Sequence, residues 1–321
     1  MVCACRPDRR RHSLRVGVLP NLTHAVPIVA VSRGLLVGDD GRPVELVPFN
    51  DGPTAVEALL AGDLDLAYCG PGPAINAFVR TRGRVRVLSG AASGGASFIL
   101  RNGVEIRQPS DLEGRKIATP QTGNTQDIAL RSWLVAHDLD STDRGGKVMV
   151  VPMTNSQTLS LFQSKQIDGA WVPEPWATRL LREANGHLFV DEATLWPDGR
   201  FPTTVLVTSS KLLRDRTADV RAIVRGNRQA VAWINRNPAA AQKIVNDFLE
   251  KQTGKKLPDA LLVASWKHLE FTDDPLPGPL KEIARASRRI GYTPSADLHG
   301  LVVEPSELLP ARVPVQEETK P

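Results

Sequence analysis

Five short stretches concentrate the residues able to do chemistry: Asn21-Leu22-Thr23-His24, Gly70-Pro71-Gly72-Pro73, Ser89 to Ser97, Gln121-Thr122-Gly123-Asn124-Thr125-Gln126 and Pro173-Glu174-Pro175-Trp176. They are rich in glycine, hydroxyls and carboxamides and contain no lysine or arginine. Backbone N–H groups at helix starts, together with hydroxyls and amides, bind an oxyanion through fixed dipoles, without a dedicated cation. Trp171 and Trp176 flank the set, and Tyr68 stands at the position equivalent to Trp171. Such rings cover an apolar ligand tail, stack on a flat heterocycle, or pack in a core.

Other constellations carry less. Cys69 and His24 both follow strand-like runs and in principle form a thiolate–imidazole pair, although a buried, inert thiol is the simpler reading of Cys69. Asp65 and Asp168 occupy matching strand positions in different halves of the chain, so they are expected to bond local backbone and not to act as a catalytic pair. Neither the Walker-type phosphate loop nor the dinucleotide glycine spacing is present. Three cysteines make no disulfide framework, and none sits at zinc-finger spacing. Binding without cofactor or metal is expected.

The elements that must position these stretches repeat at an offset of about 100 residues. Arg15-Val16-Gly17-Val18-Leu19-Pro20-Asn21 resembles Arg115-Lys116-Ile117-Ala118-Thr119-Pro120-Gln121. Val44 to Pro48 matches Val148 to Pro152, and Leu64 to Tyr68 matches Ile167 to Trp171. Three elements in register predict two α/β lobes, each with a mainly parallel sheet and right-handed crossover helices. Ligands of such sheets bind beyond the carboxyl ends of the strands, where the five stretches fall. The strand-like Ser97 to Leu100 and Thr203 to Val207 are expected to carry the chain between lobes, with hinges near Leu100 and Thr203. Lobe one is then 13–100 plus 203–303 and lobe two 101–202. Helices are expected over Val220 to Asn235, from Pro238 to about Lys251, over Leu257 to Trp266 and over Pro279 to Ile290, returning to lobe one.

Charge assigns the ends. The chain of 321 residues carries a net +5, of which Met1 to His12 contributes +3 as a basic arm, while 304–321 contributes −2 as a proline-punctuated tail expected to be disordered. The remaining +4 is spread over the body without interleaved aromatics, which excludes a base-stacking platform and, with no nucleic-acid motif, a nucleic-acid partner. No stretch is apolar enough to span a bilayer. Val2-Cys3-Ala4-Cys5 resembles the end of a bacterial lipobox, which makes Cys5 a candidate lipidation site; two incidental cysteines are the alternative.

At these stretches the sequence resembles the substrate-binding proteins of ABC importers for aliphatic sulfonates, nitrate and taurine, from about Leu14 to Tyr292. The carriers are Leu19 to Ala25, Gly70 to Asn76, Ser89 to Ser97, Ala118 to Asp127 and Asp168 to Trp176. The resemblance implies a two-lobed type II periplasmic-binding-protein fold with hinge crossovers, closing on a solute. It implies no enzymatic activity. Carried over by position, Asn21, Thr23, His24, Gly72, Pro73, Ser93, Gly94, Gln121, Asn124, Thr125 and Trp176 line the cleft; Gly70, Gly123, Gln126, Trp171 and Glu174 join them from the same loops. The implied partners are a small anionic solute and the permease and ATPase subunits at the membrane, with the protein a monomer, periplasmic or anchored as a lipoprotein. Alternatives are binding of a thiamine-pyrimidine-type heterocycle, an enzyme making such a pyrimidine, for which Cys69 stands alone without the expected Cys-rich motif, and a cytoplasmic ligand sensor, for which the twelve residues before the first strand leave no DNA-binding module.

Overall fold

The computed structural model describes residues 13–308. The basic arm with Cys5, and the tail beyond Leu308, lie outside the described residues. In chain order the strands are β1 (Arg15–Val18), β2 (Glu45–Pro48), β3 (Leu66–Cys69), β4 (Val85–Gly94), β5 (Ala96–Arg101), β6 (Lys116–Thr119), β7 (Met149–Pro152), β8 (Gly169–Pro173), β9 (Gly186–Asp191), β10 (Pro202–Ser209) and β11 (Leu269–Phe271). The helices are α1 (Ala25–Ser32), α2 (Gly52–Ala61), α3 (Pro71–Arg80), α4 (Thr125–Ala136), α5 (Asn155–Gln163), α6 (Trp176–Glu183), α7 (Ser210–Asp215), α8 (Thr217–Arg236), α9 (Pro238–Thr253), α10 (Asp259–Trp266) and α11 (Pro277–Arg289).

Local signals set these elements. Asp51 caps α2 by accepting from the Thr54 N–H at 2.9 Å, and Gly62 in the left-handed region ends that helix. Thr154 and Gln157 form a capping box at the start of α5.

The sequence repeat is a structural repeat. In lobe one β1 lies between β2 and β3, all parallel; in lobe two β6 lies between β7 and β8, all parallel. The registers correspond residue by residue, Arg15 opposite Glu45 as Lys116 is opposite Met149, and Gly17 opposite Ala67 as Ala118 is opposite Ala170. Asp65 and Asp168 do the same local work: each carboxylate accepts a strand-start N–H, from Arg15 and Lys116 respectively, at 2.9 Å.

Beyond the repeat, each sheet is mixed and not mainly parallel. β10 joins β3 antiparallel, β4 joins β10 and β11 joins β4, giving the order β11-β4-β10-β3-β1-β2. β5 joins β8 antiparallel and β9 joins β5, giving β7-β6-β8-β5-β9. The expected boundary near Leu100 therefore shifts: Leu100 is buried in mid-strand between Gly169 and His187, and the chain passes between sheets at Gly94–Gly95. Two glycines turn the chain there; an apolar run such as Ser97 to Leu100 does not. Ser97 to Leu100 thus belongs to lobe two.

The C-terminal helices also do more than return to lobe one. α8 and α9 pack on α1, whereas α11 touches both α3 and α4, and α10 touches α6 of lobe two. The beginning of the tail is ordered as well. Pro305–Leu308 forms a 3-10 turn, a setting that tolerates proline at its start, and Glu307 pairs with Arg86 at 2.9 Å.

Two aromatic residues show how each lobe is held. Tyr68 and Trp171, both wholly buried, occupy equivalent strands, and each donates to a group outside the repeat. The Tyr68 hydroxyl donates to Oδ1 of Asn227 on α8 at 2.8 Å, while Asn227 donates to Ser89 and Gly90. The Trp171 Nε1 donates to Glu192 at 2.7 Å, and its ring stacks on Phe98 with centroids 5.5 Å apart.

Tyr68→Phe leaves a buried Asn227 oxygen unpaired and is expected to cost about 1–3 kcal/mol in urea unfolding. Burial pushes the Glu192 carboxyl up from 4.5 to about 7. The native chain therefore holds this proton over a range where the unfolded chain has lost it. Stability is expected to fall by about 3 kcal/mol as pH rises from about 4.5 to about 7. Glu192→Gln, which keeps an acceptor for Trp171, is expected to remove that slope in pH-dependent unfolding.

Candidate functional site

The parallel pairing of β1 with β3, and of β6 with β8, sets helix starts side by side beyond the strand ends. In lobe one these are the turn Leu22–His24 leading into α1, and α3; in lobe two they are α4 and α6. The starts of α3 and α4 face one another directly, since the Gly72 N–H donates to the Thr125 Oγ1 at 3.1 Å across the lobe boundary. A Cβ on Gly72 would lie 2.7 Å from Ile128 Cδ1 and 3.1 Å from Thr125 N, and one on Gly70 would run into Thr125 Oγ1. These glycines permit the lobes to touch, and Pro73, buried in the first turn of α3, stiffens the same start.

In the first lobe, Asn21, Thr23 and His24 are all buried. The Asn21 Oδ1 accepts from Thr23 N–H at 3.2 Å, leaving the amide NH2 as donor. His24 Nδ1 accepts from Leu19 N–H at 3.3 Å, so the ring proton sits on Nε2. Burial lowers the His24 pKa from 6.5 to about 3, which keeps the imidazole a neutral donor at ordinary pH.

The second lobe supplies Gln121, Gly123, Asn124, Thr125 and Gln126 at the start of α4. Asn124 and Gln126 are buried residues, 9% and 4% exposed, and no hydrogen bond from their side-chain amides to protein occurs among the described residues. The Gly123 N–H is already engaged, donating to Asp127 Oδ2 at 2.9 Å. Asp127, wholly buried, also accepts from Thr119, from Arg131 Nε at 3.0 Å and from the Tyr292 hydroxyl at 2.6 Å. Tyr292 comes from lobe one, so this carboxylate ties the C-terminal segment to the α4 loop. Arg144 of lobe two likewise donates to the Ile290 carbonyl.

Four expected contacts take other roles. Trp171 lies in the core of lobe two and not in the cleft, because its strand position points inward. Ser93 and Gly94 form the passage between lobes: Ser93 Oγ accepts from Phe201 N–H at 3.3 Å, Gly94 N–H donates to Phe201 O at 3.0 Å, and the Thr203 hydroxyl donates to Gly94 O. Both Glu174 oxygens are occupied, accepting from Thr178 N–H at 3.1 Å and Thr178 O–H at 2.8 Å, with His268 Nδ1 2.5 Å away. Trp176 stays half-buried at the start of α6 under the Arg179 guanidinium, 4.7 Å from the ring centroid. Cys69 sits in an apolar cluster where burial pushes its thiol up to about 12, so no thiolate forms.

Sequence reasoning missed Asp127, His268 and Tyr292. Asp127 had one local signal, Arg131 four residues on along α4; the other two are single residues without a motif. No group of His, Cys, Asp and Glu able to hold a metal occurs among the described residues. No helix among them is long and apolar enough to cross a membrane.

Gly72→Ala adds one methyl where the lobes meet, against Ile128 and the start of α4. It is expected to raise the radius of gyration in small-angle scattering, to weaken solute binding at least about tenfold, and to cost no more than about 1–3 kcal/mol in unfolding.

The comparisons agree with this architecture. Putative binding proteins of Brucella abortus are 26% identical to the chain over 249 residues, covering 74% of it and 75% of theirs. The taurine-binding periplasmic protein of Escherichia coli is 26% identical over 167 residues, 51% of this chain and 48% of that protein. Among solved structures, the alkanesulfonate-binding protein SsuA of Xanthomonas axonopodis pv. citri, bound to MOPS, superposes with a TM-score of 0.74 at 19% identity, over 91% of this chain and 98% of that one. The NMT1-like family model matches residues 8–247. The chain therefore belongs to the NMT1-like family, and its two-lobed α/β fold is that of the substrate-binding proteins of ABC importers of the sulfonate, nitrate and taurine type.

Proposed function

We propose that the chain is the extracytoplasmic solute-binding component of an ABC importer, capturing a small organic oxyanion between its lobes, with an aliphatic sulfonate first and nitrate or taurine next. The observation that carries this is a set of buried neutral donors at helix starts. The Asn21 amide, His24 Nε2 and the Asn124 and Gln126 amides stand there without lysine or arginine. Neutral dipoles in a dry cleft suit a singly charged, weakly basic head group, whereas a dianion calls for cations. The names of the relatives support the same class of solute.

Thr23, Gln121 and Thr125 complete the donor set, and Trp176 covers the remainder of the solute. A monomer delivers the solute to membrane permease and ATPase subunits, from the periplasm or from a lipid anchor at Cys5. A stacked heterocycle is less well supported, because Trp171 is withdrawn into the core and one face of Trp176 is taken by Arg179, which leaves no pair of rings to sandwich it. Catalysis through Cys69 lacks its thiolate.

Isothermal calorimetry with butanesulfonate, taurine, nitrate, sulfate and a pyrimidine is expected to give micromolar binding to a sulfonate, about 4 kcal/mol tighter than a millimolar contact. His24→Ala and Asn124→Ala are each expected to weaken it about tenfold or more. Binding of the pyrimidine alone would overturn the oxyanion reading.

A further inference from the structure

A polar contact between a residue of the fifth stretch and a residue outside all five joins the lobes near α6. His268, in the turn between α10 and β11 of lobe one, places Nδ1 2.5 Å from Oε1 of Glu174 in lobe two. The Glu174 side chain is 2% exposed and that of His268 54%. Thr178 gives Glu174 two neutral hydrogen bonds, which leave a buried negative charge without a counter-charge. The same turn presses on the passage between sheets, where a Cβ on Gly94 would lie 2.8 Å from the His268 carbonyl oxygen. Glu174, directly after β8, is bound to that passage, its N–H donating to Gly95 O at 2.8 Å.

We propose that His268 is a positioning residue of the binding cleft: its imidazolium holds Glu174, and with it the start of α6, against the Gly94–Gly95 passage. The lobes are clamped on this side while His268 is protonated and loosen when it is not. This rests on the two-lobed binding reading but not on which solute is bound.

The surrounding charges favour that cation. Glu174 and Asp191 face His268; the adjacent Lys267 opposes it, Glu270 is held by Arg200 at 2.8 Å, and Arg179 on α6 is held by Glu183 at 3.0 Å. The hydrogen bond to Glu174 raises the His268 pKa above its ordinary 6.5, against the opposing effect of burial. A histidine whose pKa is raised on folding contributes fully below the unfolded value. The clamp is therefore complete in mildly acidic surroundings and is lost as pH rises through the raised value.

The test uses the full chain without added solute. Small-angle scattering and thermal unfolding from about pH 5.5 to about 8.5 are expected to show the wild-type radius of gyration rising and the midpoint falling above about pH 6.5. In His268→Gln, which keeps a donor but does not titrate, this component of both profiles is expected to disappear. Nuclear magnetic resonance of the imidazole nitrogens reads the titration of His268 directly in the wild type. Identical pH profiles in wild type and His268→Gln, or titration of His268 at or below its ordinary value, would overturn the proposal. Neither result follows from a failure to bind sulfonates, so the two readings fail separately.

Discussion

Two consecutive glycines in the left-handed region, Gly94 at φ 77° and Gly95 at φ 70°, are the constraint on which the two-lobed structure depends. β4 must leave one sheet and enter the other as β5 within a single residue, a reversal that strains any residue bearing a Cβ. Side chains there would also collide, at Gly94 with the His268 carbonyl and at Gly95 with Leu269. The return passage runs alongside: Phe201 exchanges hydrogen bonds with Ser93 and Gly94 before β10 enters sheet one. Two passages bound to each other make a ribbon, and a ribbon bends about one line. The contacts of α3 and α11 with α4, and of α10 with α6, join the lobes beyond that line.

The electrostatics of the cleft follow from what the folding chain buries around it. Three carboxylates, Asp127, Glu174 and Glu192, are almost wholly buried near the lobe junction. Each is spoken for: Asp127 by Arg131, Tyr292 and the Gly123 amide, Glu174 by Thr178 and His268, Glu192 by Trp171. These groups set the geometry of the helix starts, and under the proposed function solute recognition is left to neutral donors. Many of the basic side chains of the body lie elsewhere, in surface ion pairs such as Arg228 with Asp273 and Lys243 with Asp247, each worth little.

The part of this legible in the sequence is the part governed by local rules. Period-two strands ending in proline, the strand-start aspartates Asp65 and Asp168, and the capped helices are all short-range patterns, and they fixed the repeat, the topology of its three parallel strands and the loops at their ends. What escaped depends on distant partners. Tyr68 and Trp171 stand beside the loops in sequence, yet the groups that draw them inward are Asn227 and Glu192, on segments whose placement no local pattern reveals. The antiparallel entry of β5 and β10 was hidden for the same reason. The apolar run ending at Leu100 reads as a crossover, whereas the glycine pair that turns the chain lies inside a stretch whose composition suits a ligand loop. His268 and Tyr292 reach across the lobe boundary as single residues, and a single residue leaves no periodic signal.

Under the proposed function, the lobe-to-lobe contacts also set the energetics of capture. Gly72 donates to Thr125 with both lobes in place, so a solute oxyanion that takes either group exchanges one hydrogen bond for another and gains only the difference. Contacts that join the lobes away from the solute, Tyr292 with Asp127, Arg144 with the Ile290 carbonyl and Arg182 with the Ala260 carbonyl at 3.0 Å, contribute whether or not the cleft is filled. They raise the population of the joined state and thereby reduce the cost a solute must meet to select it. Selectivity cannot come from these shared contacts, since they act equally for every solute. Under that proposal it falls to the donors left uncommitted, the Asn21, Asn124 and Gln126 amides and His24, and to the face of Trp176 that Arg179 leaves open.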